Sequence, residues 1–166
     1  MKTPDDLLDE LCYLIFSQIN YYLSRRMTPD LTVQTIIEFT PDCLDDLITL
    51  GIKGLILDLD DTLRFKGQEI SLLNKGWLAM ARKRLKVIIL SNGYCSKTNK
   101  YLQEEGISYI GMAYKPFKKS YQRALKSLDL TPDEVMMIGD DYFSDIYGGK
   151  RNNLKTALVL KRKNNT

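Results

Sequence analysis

Apolar residues recur at helical spacing over residues 6–25. Leu8, Leu11, Cys12, Ile15, Phe16, Ile19, Tyr22 and Leu23 share one face. Asp5, Asp6, Asp9 and Glu10 crowd the start, and Arg25 and Arg26 lie near the end. Both placements suit the helix dipole. The pattern predicts an amphipathic helix that packs on the domain or on a partner. A helix lying on a membrane surface is the sharper alternative. Its acidic start weighs against that, because interfacial helices carry basic polar faces.

Residues 27–41 read as an irregular connection. Thr40-Pro41 then opens a helix, with threonine at the N-cap and proline at the first helical position. Gly51 closes it. Beyond it, short apolar runs alternate with helical segments. Gly54 to Asp60 reads as a buried strand that ends in acid. A helix is expected over 71–84, and a second strand over 86–90, ending at Ser91-Asn92-Gly93. A helix over 96–105, a strand over 107–112 and a helix over 117–128 follow. Thr131 to Glu134 has capping-box spacing. The fourth strand covers 135–138 and ends at Gly139-Asp140-Asp141. A helix from Tyr142 leads to a fifth strand over 156–160, and Gly148-Gly149 permits a tight helix end or a close backbone approach. This alternation predicts an α/β fold: a mostly parallel, five-stranded sheet with helices on both faces. Such sheets bind ligands beyond the carboxyl ends of their strands, where the acids and amides gather.

Length adds a single domain to this picture. The chain divides into a helical extension over 1–26, a domain over 27–160 and a polar tail over 161–166. The longest apolar run near the N-terminus, Leu11 to Phe16, is too short to span a bilayer, which needs ~20 residues. No basic segment precedes it, so secretion is not expected. A net charge of +3 with no recognition motif gives no ground for a nucleic-acid partner. Cys12, Cys43 and Cys95 are odd in number and unclustered, which suits a reducing cytoplasmic compartment. Cys95 reads as a small packing residue near the strand ends. The chain has no histidine. That excludes Ser-His-Asp and Cys-His catalysis and any imidazole zinc site.

The remaining chemistry belongs to carboxylates and lysine. Asp58 and Asp60, two apart at a strand end, share a face. Several carboxylates without histidine favour a hard, oxygen-seeking cation, and magnesium fits best. Lys115, Ser91, Asn92 and Thr62 supply donors for phosphate oxygens. This set suits phosphoryl transfer through an aspartyl-phosphate.

The same residues resemble the haloacid dehalogenase (HAD) superfamily. Asp58-Leu59-Asp60-Asp61-Thr62 resembles its first motif, DxDxT, and Ser91-Asn92-Gly93 its second. Lys115-Pro116 resembles the third, and Gly139-Asp140-Asp141 through Asp145 the fourth. A lone DxDxT is weak, but four motifs in order at strand ends are specific. Residues 27–160 resemble the short subclass IIIA branch, the YqeG-like proteins, to which fungal and plant phosphatidylglycerophosphate phosphatases also belong. The resemblance implies the three-layer Rossmann-like HAD fold. It makes Asp58 nucleophile and metal ligand, and Asp60 the general acid and then base, beside the metal. Thr62, Ser91 and Asn92 lie at the phosphoryl oxygens, and Lys115 orients Asp58. Asp140 is a metal ligand, with Asp141 or Asp145 supporting the metal. The resemblance does not cover the N-terminal helix.

Segments 63–90 and 93–114 are filled by the expected helices and strands, so no cap domain fits. An open site suits a substrate whose bulk stays outside, such as a lipid head group or a protein. The expected substrate is phosphatidylglycerophosphate, with possible peripheral membrane contact. A soluble phosphoester, nucleotide or phosphoprotein is the alternative, and a non-catalytic phospho-ligand module a third. A response-regulator receiver is rejected: its Lys-Pro lies near the last strand, and it has no DxDxT.

Overall fold

A computed structural model describes residues 4–93 and 96–160. Cys95 and the tail over 161–166 lie outside the described residues. Helix α1 (Pro4–Ser24) is followed by β1 (Leu31–Val33), α2 (Pro41–Thr49) and β2 (Gly54–Leu57). Then come α3 (Leu72–Arg82), β3 (Lys86–Leu90), α4 (Ser96–Glu104), β4 (Ser108–Ile110) and α5 (Lys118–Leu128). The chain ends with β5 (Val135–Gly139), α6 (Gly148–Arg151) and β6 (Lys155–Val159). The sheet order is β1-β6-β5-β2-β3-β4, and every described pairing is parallel.

The sheet therefore has six strands, not five. The extra strand, β1, falls inside the segment expected to be irregular. Three residues with mostly exposed side chains carry no readable alternation. Its placement comes from a neighbour: Asp30 Oδ2 accepts from the Thr156 backbone N–H at 2.8 Å and from its hydroxyl at 3.0 Å. These bonds register β1 on β6.

In β2 every residue is buried, as a central parallel strand requires. Leu55 and Leu57 join one apolar layer, with Leu44, Leu47, Trp77 and Leu78 of α2 and α3. Ile56 joins the other, with Tyr121, Ala124 and Leu128 of α5. Thr40 caps α2 by accepting from Cys43 N–H at 3.3 Å, and Gly51 follows with a φ of 95°. Thr131 and Glu134 form the expected box around a 3-10 turn.

One segment differs from the sequence reading. After β5 the chain forms a π-helical turn, Tyr142–Tyr147, before the short α6. Gly148 and Gly149 are buried at the junction, as the first two residues of α6. A Cβ at Gly148 would stand 2.9 Å from the Tyr121 ring. One at Gly149 would stand 2.7 Å from a Thr156 methyl. Close backbone approach is thus what these glycines permit.

Helix α1 reaches the domain through the π-turn. Asn20 Oδ1 accepts from Phe143 N–H at 2.9 Å, and the Phe16 and Phe143 rings lie 6.1 Å apart. Leu11, Leu14, Ile15, Phe16 and Tyr22 nevertheless remain about half exposed or more. Among the described residues, no helix is long and apolar enough to cross a membrane.

Replacing Gly148 with alanine drives a methyl group into Tyr121. The variant is expected to lose about 1–3 kcal/mol, read by urea denaturation. An unchanged midpoint would mean that α6 and α5 separate without cost.

Candidate active site

The ends of β2, β3 and β5 lie side by side because these strands are neighbours in the sheet. The loop after β4 is tied in by Ala113 N–H, which donates to Ser91 O at 3.0 Å. Asp58 N–H donates to Ile138 O at 2.9 Å, which extends the β2–β5 ladder by one residue and buries Asp58. Asp145 comes from the π-turn and is fully buried against Gly139. Any Cβ at Gly139 would overlap the Asp145 carboxylate. Glycine at the end of β5 is therefore a condition for that carboxylate's position.

Lys115 is buried between these groups. Its Nζ donates to Asp58 Oδ1 at 2.5 Å and to Asp145 Oδ1 at 2.7 Å. Its backbone is held at two points by Asn92: Lys115 N–H donates to Asn92 Oδ1 at 2.6 Å, and Asn92 Nδ2 donates to Lys115 O at 3.2 Å. Asn92 thus positions Lys115 through its main chain. Asp140 completes the group: one oxygen each of Asp58, Asp140 and Asp145 lie within 4.8 Å of one another.

The other expected residues stand around this cluster. Asp60 Oδ1 accepts from Arg64 Nε at 2.8 Å. Gly93 lies against Asp60, since a Cβ there would stand 3.3 Å from Asp60 Oδ2 and 3.7 Å from Ser91 Oγ. Ser91 is buried and accepts from Gly93 N–H at 3.1 Å. Thr62 is buried, and its hydroxyl has no partner among the described residues. Asp141 is the N-cap of the π-turn, with Oδ1 accepting from the Phe143 and Ser144 N–H groups at 3.0 and 2.7 Å. Of the two acids weighed for the metal's support, Asp145 joins the cluster and Asp141 caps.

Two contributors were not foreseen. Arg64 is buried, and beyond Asp60 its Nη1 donates to Thr98 Oγ1 at 2.7 Å and to Gln68 O at 3.0 Å. It binds the loop after β2 to α4. Its four-residue offset from Asp60 was the only available signal, and outside a helix that spacing carries no expectation. Tyr121 is fully buried beneath the site and donates to Ser144 O. In the sequence Tyr121 is one of ten tyrosines, and nothing beyond its place in an expected helix sets it apart.

Two carboxyl groups meet the buried Lys115 ammonium, and the partly buried Asp140 stands beside them. Burial pushes the Asp58 carboxyl up to about 8, with Asp145 and Asp140 adding to the rise and Lys115 opposing it. Burial also raises Asp145 against the pull of Lys115. For Lys115, burial acts downward, but Asp145 and Asp58 outweigh it and hold the ammonium charged. The donor set is all oxygen, anionic in excess and free of histidine, and it fits a hard divalent cation.

A parallel sheet with this cluster at its carboxyl edge defines a phosphoryl-handling α/β hydrolase. The comparisons agree. A family profile described as HAD-hydrolase-like matches residues 112–166. The chain is 31% identical over 140 residues to the probable phosphatase YqeG of Bacillus subtilis, covering 83% of this chain and 80% of that protein. Glyceraldehyde 3-phosphate phosphatase of Pyrococcus furiosus is 45% identical over 43 residues, covering 26% of this chain and 18% of that enzyme. The fold is similar to a HAD family enzyme of Bacteroides thetaiotaomicron solved as a magnesium complex. That match has a TM-score of 0.56 and 13% identity, covering 70% of this chain and 97% of that one. It is also similar to a HAD subfamily III A hydrolase structure from Legionella pneumophila, with a TM-score of 0.52 and 23% identity. There the coverage is 69% of this chain and 67% of that one. The chain belongs to the HAD superfamily of hydrolases, among the YqeG-like phosphatases.

The raised Asp58 has a consequence for stability. Above its ordinary value of 3.8 the unfolded chain gives up this proton, while the folded chain keeps it to about pH 8. Stability without metal therefore falls as pH rises across that window. Asp58→Asn is expected to flatten the fall and to melt a few degrees above the parent at pH 8 in EDTA. A lower melting point for the variant would show that the Lys115 pairing outweighs burial and repulsion.

Proposed function

We propose that the chain is a magnesium-dependent phosphomonoesterase that works through an aspartyl-phosphate and acts on phosphatidylglycerophosphate. The observation that carries the chemistry is the buried Lys115 bridging Asp58 and Asp145 beside Asp140. Asp58, Asp140 and Asp145 would hold the cation, which supplies positive charge against the phosphate oxygens when bound.

Asp58 attacks phosphorus, and the ester P–O bond breaks as the Asp58–phosphorus bond forms. Asp60 gives its proton to the departing alkoxide, which leaves as the alcohol. Water then attacks the phosphorus, Asp60 takes the water's proton, and inorganic phosphate leaves with Asp58 regenerated. Lys115 fixes the orientation of Asp58 and offsets the charge that collects on the phosphoryl oxygens. The Ser91 and Thr62 hydroxyls are assigned to those oxygens: Ser91 Oγ lies with Asp60 against Gly93, and the buried Thr62 hydroxyl has no bond among the described residues to give up. Arg64 holds Asp60 in place from the side.

The substrate reading rests on the short segments between β2 and α3 and between β3 and β4, in which no domain is inserted among the described residues. A lipid whose bulk stays outside suits such a site better than a small ester needing enclosure. One observation favours a small soluble phosphoester instead. A cavity of about 460 Å³ lies beside the site, lined by Thr62, Arg64, Gln34 and Asn74 among others. That volume falls within the range of ligand pockets.

The deciding assay measures phosphate release from phosphatidylglycerophosphate in detergent micelles with magnesium, beside p-nitrophenyl phosphate. Lipid turnover that disappears in Asp58→Asn is the expected result. Turnover of the soluble ester alone discards the lipid and keeps the mechanism. A second expectation concerns Arg64. Its replacement by methionine frees Asp60 and is expected to lower kcat by about 10–100-fold with KM changed less. Equal kcat would remove Arg64 from the account.

A further inference from the structure

The loop between β4 and α5 breaks three local rules at once. Met112 and Tyr114 sit in the left-handed region, with φ of 48° and 53°. Glycine, asparagine and aspartate are the residues that tolerate this region. Phe117 occupies the N-cap of α5 and makes no side-chain capping bond. Serine, threonine, aspartate or asparagine would suit that position.

The backbone shape of this loop has a clear use, because it turns Ala113 and Lys115 inward in alternation with Met112 and Tyr114. The identity of the outward residues has no such use. Met112, Tyr114 and Phe117 are 55%, 63% and 65% exposed. A small polar residue would keep the same backbone at lower strain, yet three large apolar side chains face solvent beside Lys115. Positions where local preference is overruled, with no contact among the described residues to explain it, point to function.

The charge around them is of one sign. Residues 111–128 include no acidic side chain, while Lys118, Lys119, Arg123 and Lys126 are all exposed. Phe65 adds a further exposed aromatic on the loop after β2, at the same edge of the sheet. Exposed Met, Tyr and Phe beside lysines are the composition of an interfacial anchor. Each cation near an anionic leaflet adds attraction.

We propose that this rim is a docking surface for an anionic phospholipid bilayer, seated so that the open site faces the head groups. Met112, Tyr114 and Phe117 enter the interface, and Lys118 and Lys119 meet lipid phosphates. The proposal rests on the reading that the substrate is a phospholipid. It adds that the surface recognises the bilayer itself, apart from the substrate molecule.

The test is flotation of the full chain with phosphatidylcholine vesicles, with and without phosphatidylglycerol and with no phosphatidylglycerophosphate present. The parent is expected to float only with the anionic vesicles, and less as salt rises. A Met112→Asn, Tyr114→Asn, Phe117→Ser variant is expected to bind at least about tenfold more weakly. Its replacements suit the local backbone, so its melting point and its turnover of p-nitrophenyl phosphate should hold. Lys118→Glu with Lys119→Glu gives an independent arm and should abolish flotation even if the triple variant is unstable.

Absence of parent binding, or equal binding by the stable triple variant, overturns the proposal. So does a change of oligomeric state in the triple variant, by light scattering, when the parent does not float, since the rim would then be a protein interface. Phosphatidylglycerophosphate turnover in micelles without vesicle binding overturns the docking and leaves the substrate reading standing. Vesicle binding without that turnover supports the docking and removes the substrate.

Discussion

Lys115 carries its ammonium into a place from which water is nearly excluded, and two carboxylates meet it there. A buried charge of this kind persists only when it is paired and hydrogen-bonded. Much of the local architecture serves that condition. Glycine ends β5 so that the Asp145 carboxylate can approach. The π-turn widens the helix start so that Asp145 and the cap Asp141 both find partners. Asn92 grips the Lys115 main chain, and the strained loop before it sets the direction from which the side chain enters. Asp140 adds a third carboxyl group to Asp58 and Asp145, so carboxyl groups outnumber the one ammonium in the cluster.

Most of the fold could be read from the chain because its signals were local and repeated. β2 and β5 are unbroken apolar runs, β3 and β6 are apolar after Lys86 and after Lys155-Thr156, and α2 and α3 start at readable caps. β1 escaped because three half-exposed residues have no period, and its position depends on Asp30 reaching Thr156 across the sequence. The π-turn escaped because one extra residue per turn leaves no mark in a six-residue stretch. The site shows the same division. Asp58, Asp60 and Asp140 follow strand ends and Lys115 lies in the loop after β4, and all four stand out by position. The separate duties of Asp141 and Asp145 depend on which oxygen faces which N–H, and no spacing rule reports that. Arg64 stayed hidden because an arginine in a loop is most often solvated, and only its burial among Asp60, Thr98 and Gln68 gives it meaning.

Among the described residues no domain is inserted between the strands that carry the site, and the loop after β2, the loop before α5 and the π-turn surround its strand ends. Phe143 joins the π-turn to α1. It receives Asn20 and Phe16 from α1, and its ring stacks on Tyr147 at 5.9 Å, one turn from α6. The N-terminal helix is thereby attached to the element that carries Asp145.

The sheet's two outer strands, β1 and β4, are each only three residues long. An edge so short offers few free N–H and C=O groups in register, too few to template an incoming strand. Fibril-like growth or strand exchange with a second molecule is thereby disfavoured at both edges of the sheet.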